Sequence, residues 1–506
     1  MRFFLYIALG VIMLVAQTTL DKKAIARTIA KDRMNVLLPL GKELPFSKDA
    51  PVDTIYATIT PILGQLIYTS NSYDLEPGLL ESFSWDFENS AYILKLKPNL
   101  HFHNGRKVTS KDLEFSLLRG FYSSRPSFFL AFLNNIKGID AIKGKKKFAS
   151  GQVSGIKVID ERSISVKLNE PNPSFLHSLA RAYFSVVPIE AFGSNYETWN
   201  EYPVGAGAYK VSEFNSKAGK LILTRVKKSG ESPKEIAFYF KKTTEPIDIE
   251  LSSHGENKKV VSSKRSASLT GIYFNFNSSI ASNINFRKAI DLAVDRNELA
   301  KDVEIYSPAD EFLAKHFWGR IKPKKEKDIA VANSLLKKVK GLDLSKTYKI
   351  PVFNGKLSDP KYGKYAKRLE SQLQKSGLKV KLFESNDKKF PESDKTTLFR
   401  LASLGADVAD PIILFGLLRG KNSPLKPHFP LNDKKYEDLF LKAQHTTTLD
   451  QRVMAIKNLS NYLHDEAWVV PLFEKKLLVS INPNSVKDTG LQDGGLTFFV
   501  ERTKLK

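Results

Sequence analysis

The sequence predicts an α/β chain of two or three domains, and three observations predict it. At 506 residues the chain exceeds the roughly 250 to 300 residues at which a single core stops growing. Stretches with period-two alternation and stretches with helical spacing follow one another along its length. In the second half, Tyr348–Phe353, Tyr365–Lys375 and Leu378–Phe383 read as strand, helix and strand, the βαβ unit that builds a parallel sheet.

The elements follow in order. Arg2 and the apolar run Phe3–Val15 have the charge and length of a secretory signal, too short to span a bilayer comfortably. The stretch Val15–Thr18 lacks a clean small-x-small cleavage site, so residues 1–18 read as a signal peptide or as a retained N-terminal anchor. Met34–Leu40 reads as a short buried strand, and Thr54–Tyr68 as an apolar helix interrupted near Pro61. In Tyr92–Lys97, Tyr92, Leu94 and Leu96 share one face, a half-buried strand. Asn104-Gly105 then predicts a type I′ hairpin turn. Thr109 and Asp112 predict a reciprocal cap on the helix that carries Leu113, Leu117 and Leu118.

Ile156–Ile159 and Ser163–Leu168 read as strands, followed by an apolar segment Phe175–Val187. The glycines of Tyr202–Val211 sit between strands and open no helix, so they read as a close backbone approach and not as a phosphate cradle. Ser262-Ser263-Lys264 reads as solvated loop. Leu269–Asn277 alternates like a strand, and Phe286, Ala289, Ile290, Ala293 and Val294 then recur at helical spacing. Asp328–Val339 and Arg452–Asp465 are further amphipathic helices.

Composition narrows the function classes. The chain has no cysteine, which excludes disulfides, thiolate metal sites, a catalytic thiol and a cysteine-linked lipid within this sequence. Its 78 basic and 54 acidic residues give +24, enough to shape which partners approach. The basic clusters Lys143–Lys147 and Lys322–Lys327 lack interleaved aromatics, so nucleic-acid binding is not expected. The charge reads as a lysine-rich solvated surface, with attraction to a membrane surface or an acidic partner as the second reading. No zinc-protease, nucleophile-elbow or P-loop motif occurs, so no enzyme is expected. His101 and His103 lie two apart on one strand face but lack a third ligand nearby; His103 reads as a hydrogen-bonded structural residue, and no metal or cofactor is expected.

The run from Leu96 through Ser116, with His101-Phe102-His103-Asn104-Gly105 at its centre, resembles the extracytoplasmic solute-binding proteins, family 5, of ATP-driven peptide and nickel importers. Further stretches resemble that family in the same order: Pro77–Phe83, Pro203–Tyr209, Asn285–Leu299, Asp407–Pro411 and Trp468–Phe473. The resemblance implies a two-lobed periplasmic-binding-protein type II fold with an extra subdomain, mixed sheets and two hinge crossings near Ser268–Asn275 and Leu472–Ile481. It divides the chain into a discontinuous lobe 1 (30–70, 190–268 and 480–506), an extra subdomain (71–189) and lobe 2 (269–479).

The resemblance also implies site residues. Asp407 stands where peptide-binding members place a carboxylate against the ligand α-ammonium; otherwise Asp407 or Asp410 caps the turn before Pro411. Arg400 is a candidate for a ligand carboxylate, and Tyr273 and Asn275 on the crossing strand are further candidates. Leu404 replaces a tryptophan and Gly64 a glutamate of many peptide binders. The implied function is capture of peptides or peptide-like solutes for an ABC permease by a periplasmic or extracytoplasmic monomer. The alternatives are a nickel-chelate or other small-solute receptor of the same fold, or a membrane-anchored sensor or chaperone without transport.

Overall fold

The computed structural model describes the chain outside residues 1–31, 39–45, 47–51, 71–73, 123–129, 131–132, 194–195, 227–231, 252–258, 302–305, 324–325, 354–356, 358–359, 386–393, 406–409, 421–422, 424 and 492–497. The expected leader lies outside the described residues. Among those described, no helix is long and apolar enough to cross a membrane.

Lobe 1 begins with β1 (Arg33–Leu37), which buries Met34 and Val36. Helix α1 (Val52–Leu63) runs through Pro61 instead of breaking there. Pro61 sits in the last turn, where it forgoes one bond to the preceding turn without ending the helix. Gly64 ends the helix at φ +70, its amide donating to the Thr60 carbonyl at 2.8 Å.

The extra subdomain carries β2 (Leu80–Asp86), β3 (Ala91–Leu96), α2 (Ser110–Leu118), β4 (Ile156–Val158), β5 (Ser163–Val166) and α3 (Phe175–Leu179). Its four strands form one sheet in the order β2-β3-β5-β4, and Leu94, Leu113, Leu117, Ile164 and Phe175 share its core. The hairpin turn differs from expectation. Only Gly105 takes a positive φ, at 88°, and its amide donates to Phe102 O at 2.9 Å. The turn is therefore an ordinary one closed by a left-handed glycine. Asn104 is held by its side chain instead, accepting from the Arg106 amide at 3.1 Å and donating to Glu190 at 3.1 Å.

At the α2 cap, Asp112 accepts from the Thr109 amide and from the Thr109 hydroxyl, each at 2.8 Å. The reciprocal capping box expected between Thr109 and Asp112 is present, and the hydroxyl donates to the carboxylate as well. Arg106 adds a bidentate pair to Asp112 at 3.0 and 2.7 Å.

The chain then returns to lobe 1 as β6 (Tyr209–Asn215), β7 (Lys220–Arg225), β8 (Glu235–Tyr239) and β9 (Ile249–Glu250). The glycine-rich loop before β6 lies against the end of α1: a Cβ on Gly207 would sit 2.3 Å from Pro61 O, and one on Gly205 2.5 Å from the Leu63 Cα. Gly207 N donates to Ile62 O at 2.9 Å, so the loop both packs on and caps the helix. His103 bonds the same loop, ring Nε2 to Gly207 O at 3.1 Å.

Lobe 2 contains β10 (Lys259–Phe274), α4 (Ile284–Ala293), β11 (Tyr306–Pro308), α5 (Ile329–Lys337), β12 (Tyr348–Phe353), α6 (Pro360–Lys375), β13 (Val380–Ser385), β14 (Phe399–Gly405), α7 (Ile412–Phe415), α8 (Lys434–His445), α9 (Leu449–Asp465) and β15 (Val469–Ile481). The βαβ unit forms as expected, with β12 parallel to both β13 and β14. Ile272, Phe286, Leu336, Tyr365 and Leu401 fill one face of this end of the sheet. Tyr273, Phe415, Tyr436, Ile456 and Trp468 fill the other. Asp328 and Asp433 cap α5 and α8 through the amides of Val331 and Tyr436.

The two lobes share a single 11-stranded sheet, ordered β13-β12-β14-β10-β15-β9-β1-β8-β7-β6, with β11 also on β15. β10 and β15 carry it across. Lys259–Ser262 pair with Ile481–Leu478, and Ser268–Tyr273 pair with Lys475–Val469, with register shifts from Ser262 to Ser268. The first crossing thus falls ahead of the expected stretch, and Ser262-Ser263-Lys264 is strand and not solvated loop. Ser263 is buried because its hydroxyl stitches the bulge, donating to Arg265 O at 2.6 Å and accepting from Leu477 N at 3.0 Å.

Replacing Asp112 by alanine removes an anion that satisfies four donors, and is expected to cost about 2–4 kcal/mol in urea unfolding. Lys107→Ala breaks the exposed Lys107–Glu161 pair and is expected to change stability by less than about 1 kcal/mol. Equal losses in the two variants would contradict this ranking.

Candidate ligand cleft

A cleft between lobes needs two walls and a floor, and the crossing strands supply the floor. Glu474 on β15 is buried there, accepting from the Ser266 hydroxyl at 2.5 Å and from the Lys315 amide at 2.9 Å. Burial raises its carboxyl above the usual range, and the two hydrogen bonds and the Lys315 charge pull it back.

Three of the expected site residues, Tyr273, Arg400 and Leu404, lie on β10 and β14 of lobe 2. Tyr273 and Arg400 are direct partners across β10 and β14, and both are buried. Burial pushes the Tyr273 phenol up and lowers the Arg400 guanidinium to about 10. The His428 ring stands 6.0 Å from that of Tyr273, bonded to Phe274 O at 2.9 Å. Burial, then the Arg400 charge, hold it well below the ordinary histidine range.

Asn275 lies two residues on, with its amide donating to the carbonyls of Asp394 and Thr397, each at 2.9 Å, and its oxygen accepting from the Asn277 amide. Those bonds hold the turn before β14 and use the side chain in full. Leu404 is half-buried opposite Leu269, at the far end of β14 from Arg400. The structure therefore brings Tyr273 and Arg400 together, with Asn275 nearby, and places Leu404 apart. Asp407 lies outside the described residues.

On the lobe 1 side, the end of α1 comes next to the end of α3, where Gln65 reaches Ala180. Gly64 has a positive φ, and a Cβ there would meet the Leu79 side chain at 3.2 Å, so the backbone disfavours the carboxylate that many peptide binders carry at this point. Gln65 follows, buried to 3% exposure, with Nε2 3.5 Å from Ala180 O and a buried Oε1 that has no partner. Behind it, Tyr68 is pushed up to about 12 by burial and by the nearby Glu501 charge. Burial holds the Glu501 carboxyl at about 7.

Sequence reasoning missed the residues at which the walls meet. Ser174, at the start of α3, donates to Asp410 Oδ2 at 2.7 Å. Arg452 on α9 donates to the same oxygen at 2.6 Å and to Ser174 Oγ at 3.0 Å. Asp410 also accepts from Ile412 N at 3.1 Å, so the expected turn cap is present and is half of its role. His177 stands close enough to feel both charges, and burial lowers it below the ordinary histidine range. Nothing in a single sequence links position 174 to 410 and 452. Among the described residues, no cluster of three metal-ligating side chains occurs.

Two lobes on one sheet, joined by a pair of long antiparallel strands and touching at the cleft rim, define a two-lobed binding protein of the type II class. The sequence profile of "Bacterial extracellular solute-binding proteins, family 5 Middle" matches residues 74–241 and 234–424, and the chain belongs to that family. Among curated relatives, the dipeptide-binding protein DppE of Bacillus subtilis is 25% identical over 482 residues, covering 87% of this chain and 86% of that one. The oligopeptide-binding protein OppA of the same organism is 23% identical over 440 residues, 79% of each. Of solved structures, the murein tripeptide binding protein MppA of Escherichia coli superposes with a TM-score of 0.76 at 18% identity, over 94% of this chain and 99% of that one. NikZ from Campylobacter jejuni, in complex with Ni(L-His), superposes with a TM-score of 0.74 at 18% identity and the same coverage. Both structures bear out the two-lobed fold.

Glu501 gives this wall a testable pH dependence. Its folded pKa, raised to about 7, exceeds the ordinary value near ~4.3, so the native state holds the proton more tightly than the unfolded chain. Its contribution is present below the ordinary value and is lost as pH rises through about 7. Glu501→Gln is expected to melt close to wild type at low pH and higher than wild type at alkaline pH. A gain of the same size at both ends of the range would rule out a buried carboxylate as its source.

Proposed function

We propose that this chain captures peptides or peptide-like solutes between its two lobes and delivers them to an ATP-driven permease in the membrane. The observation that carries the reading is the similarity to DppE over most of both chains, on a fold whose lobes turn about the paired strands β10 and β15. Asp407, which follows β14 in the sequence, is the proposed partner of a ligand α-ammonium. Arg400, with Tyr273 beside it, is the proposed partner of a ligand carboxylate. Leu404 gives the ligand an apolar neighbour, and Asn275 shapes the site by holding the turn before β14. The chain acts outside the cytoplasm as a monomer, exported by its apolar N-terminal segment and held, where that segment is retained, without a cysteine-linked lipid.

One observation favours a second reading. The left-handed Gly64 and the neutral Gln65 leave lobe 1 without the carboxylate that many peptide binders place there, which suits a small chelate or another compact solute.

Native mass spectrometry of the purified chain separates the two readings, since a retained peptide and a retained metal chelate differ in mass and isotope pattern. Equilibrium binding to a library of two- to five-residue peptides is expected to saturate, and a library with no saturable member would remove peptide capture. Asp407→Asn is expected to weaken an α-ammonium-bearing ligand by about 2–5 kcal/mol. Unchanged affinity would take Asp407 out of the site.

A further inference from the structure

Ser174 begins a helix without capping it. It precedes α3, yet its hydroxyl makes no bond to that helix's own amides. It reaches instead from the extra subdomain into lobe 2, donating to Asp410 Oδ2 at 2.7 Å and accepting from Arg452 Nη2 at 3.0 Å. All three residues are buried, at 2%, 3% and 7% exposure. The serine is held in place from its own side: its amide donates to Asn172 Oδ1 at 3.1 Å, and its carbonyl accepts from the Ser178 hydroxyl at 3.0 Å. Tyr92 braces the same turn, donating to Asn172 O at 3.0 Å and stacking on Phe175 with ring centres 5.0 Å apart. On the far side, the Asp410 carboxylate is fixed by the Ile412 amide, and the Arg452 guanidinium lies 5.4 Å from the centre of the Trp318 ring.

The two parts of this contact have different lifetimes. Asp410 and Arg452 both belong to lobe 2 and stay paired whether the lobes are open or closed. The bonds of Ser174 exist only when the extra subdomain rests on lobe 2. A buried carboxylate whose Oδ2, already paired with Arg452, also accepts from a donor on the opposite lobe favours the arrangement in which that donor arrives.

We propose that Ser174 is a positioning residue which, with Asp410 and Arg452, latches the lobes closed without help from any ligand, so that the ligand-free chain already populates the closed form. The apparent affinity of a receptor scales with the fraction of molecules in the competent state. The latch therefore sets how much of a ligand's binding energy is spent on closing the cleft. It rests on the two-lobed fold and not on the chemical class of the ligand.

The test needs no ligand, so its outcome is independent of the peptide reading. Because the chain has no cysteine, Lys157→Cys in the extra subdomain and Lys442→Cys in lobe 2, both exposed, can be labelled with a dye pair for single-molecule energy transfer. The ligand-free chain is expected to exchange between two transfer efficiencies. Ser174→Ala is expected to lower the closed-to-open ratio about tenfold, in line with loss of a hydrogen bond to a charged group, at an unchanged urea midpoint. Ser174→Thr, which keeps the hydroxyl, is expected to restore the ratio. Ser178→Ala, which removes a bond inside the same helix, is expected to leave it alone. A single open state in the unsubstituted chain, or an unchanged ratio in Ser174→Ala, would overturn the proposal.

Discussion

The structure depends on the pairing of β10 with β15. Every other strand of the 11-stranded sheet belongs to one end of it, and these two run through both. An uninterrupted antiparallel ladder would make the lobes one stiff body. The register shifts between Ser262 and Ser268 interrupt it at the crossing, where a bulge locally breaks pairing and adds twist. Leaving backbone groups unpaired in a buried strand is costly, and the Ser263 hydroxyl meets part of that cost by serving both Arg265 and Leu477. The hinge is thus a place where the ladder is loosened while its polar groups stay satisfied.

The charge distribution follows a related logic. Four arginines buried in lobe 2 each sit against a carboxylate: Arg287 near Glu466, Arg296 with Asp291, Arg320 with Asp310 and Glu311, and Arg452 with Asp410. Removing one partner of such a pair strands a charge out of water, which costs about 3–5 kcal/mol. These residues are fixed parts of the architecture, whereas the net charge of +24 is carried by an exposed lysine surface. Burial lowers the Arg400 guanidinium to about 10, and its cross-strand partner is Tyr273.

Local features of the fold were legible in the sequence and distant ones were not. The α2 cap and the βαβ unit of β12 to β13 rest on neighbours within a few residues, and each forms; the strand expected over Leu269–Asn277 forms as far as Phe274 and is buried on both faces. The errors come from longer reach. Asn104 looked like half of a type I′ turn, but its side chain is committed to Arg106 and to Glu190, which lies far along the chain. Ser262-Ser263-Lys264 looked like loop because its polar character suits water, and nothing local reveals that Leu477 arrives to use Ser263. In the candidate site, the adjacency of Tyr273 and Arg400 depends on strand register. The joint at Ser174 depends on residues separated by 236 and 278 positions, beyond the range of any periodicity.

Closure and recognition can then be treated as separate problems in this protein. The groups that join the rim, Ser174, Asp410 and Arg452, satisfy one another and leave Asp410 little capacity for a ligand charge. Among the described residues the groups proposed to face the ligand are few: the neutral Gln65 on one side, and Tyr273, Arg400 and Leu404 on the other. If ligand contacts alone had to close the lobes, a wall with so few charged groups would demand a large or highly charged solute. With part of the closing free energy supplied by a contact outside the cleft, a modest set of wall residues can hold a modest ligand and still release it when the lobes part. A left-handed glycine at position 64 and a leucine at position 404 fit that division, because both reduce what the walls can offer without touching the joint that brings them together.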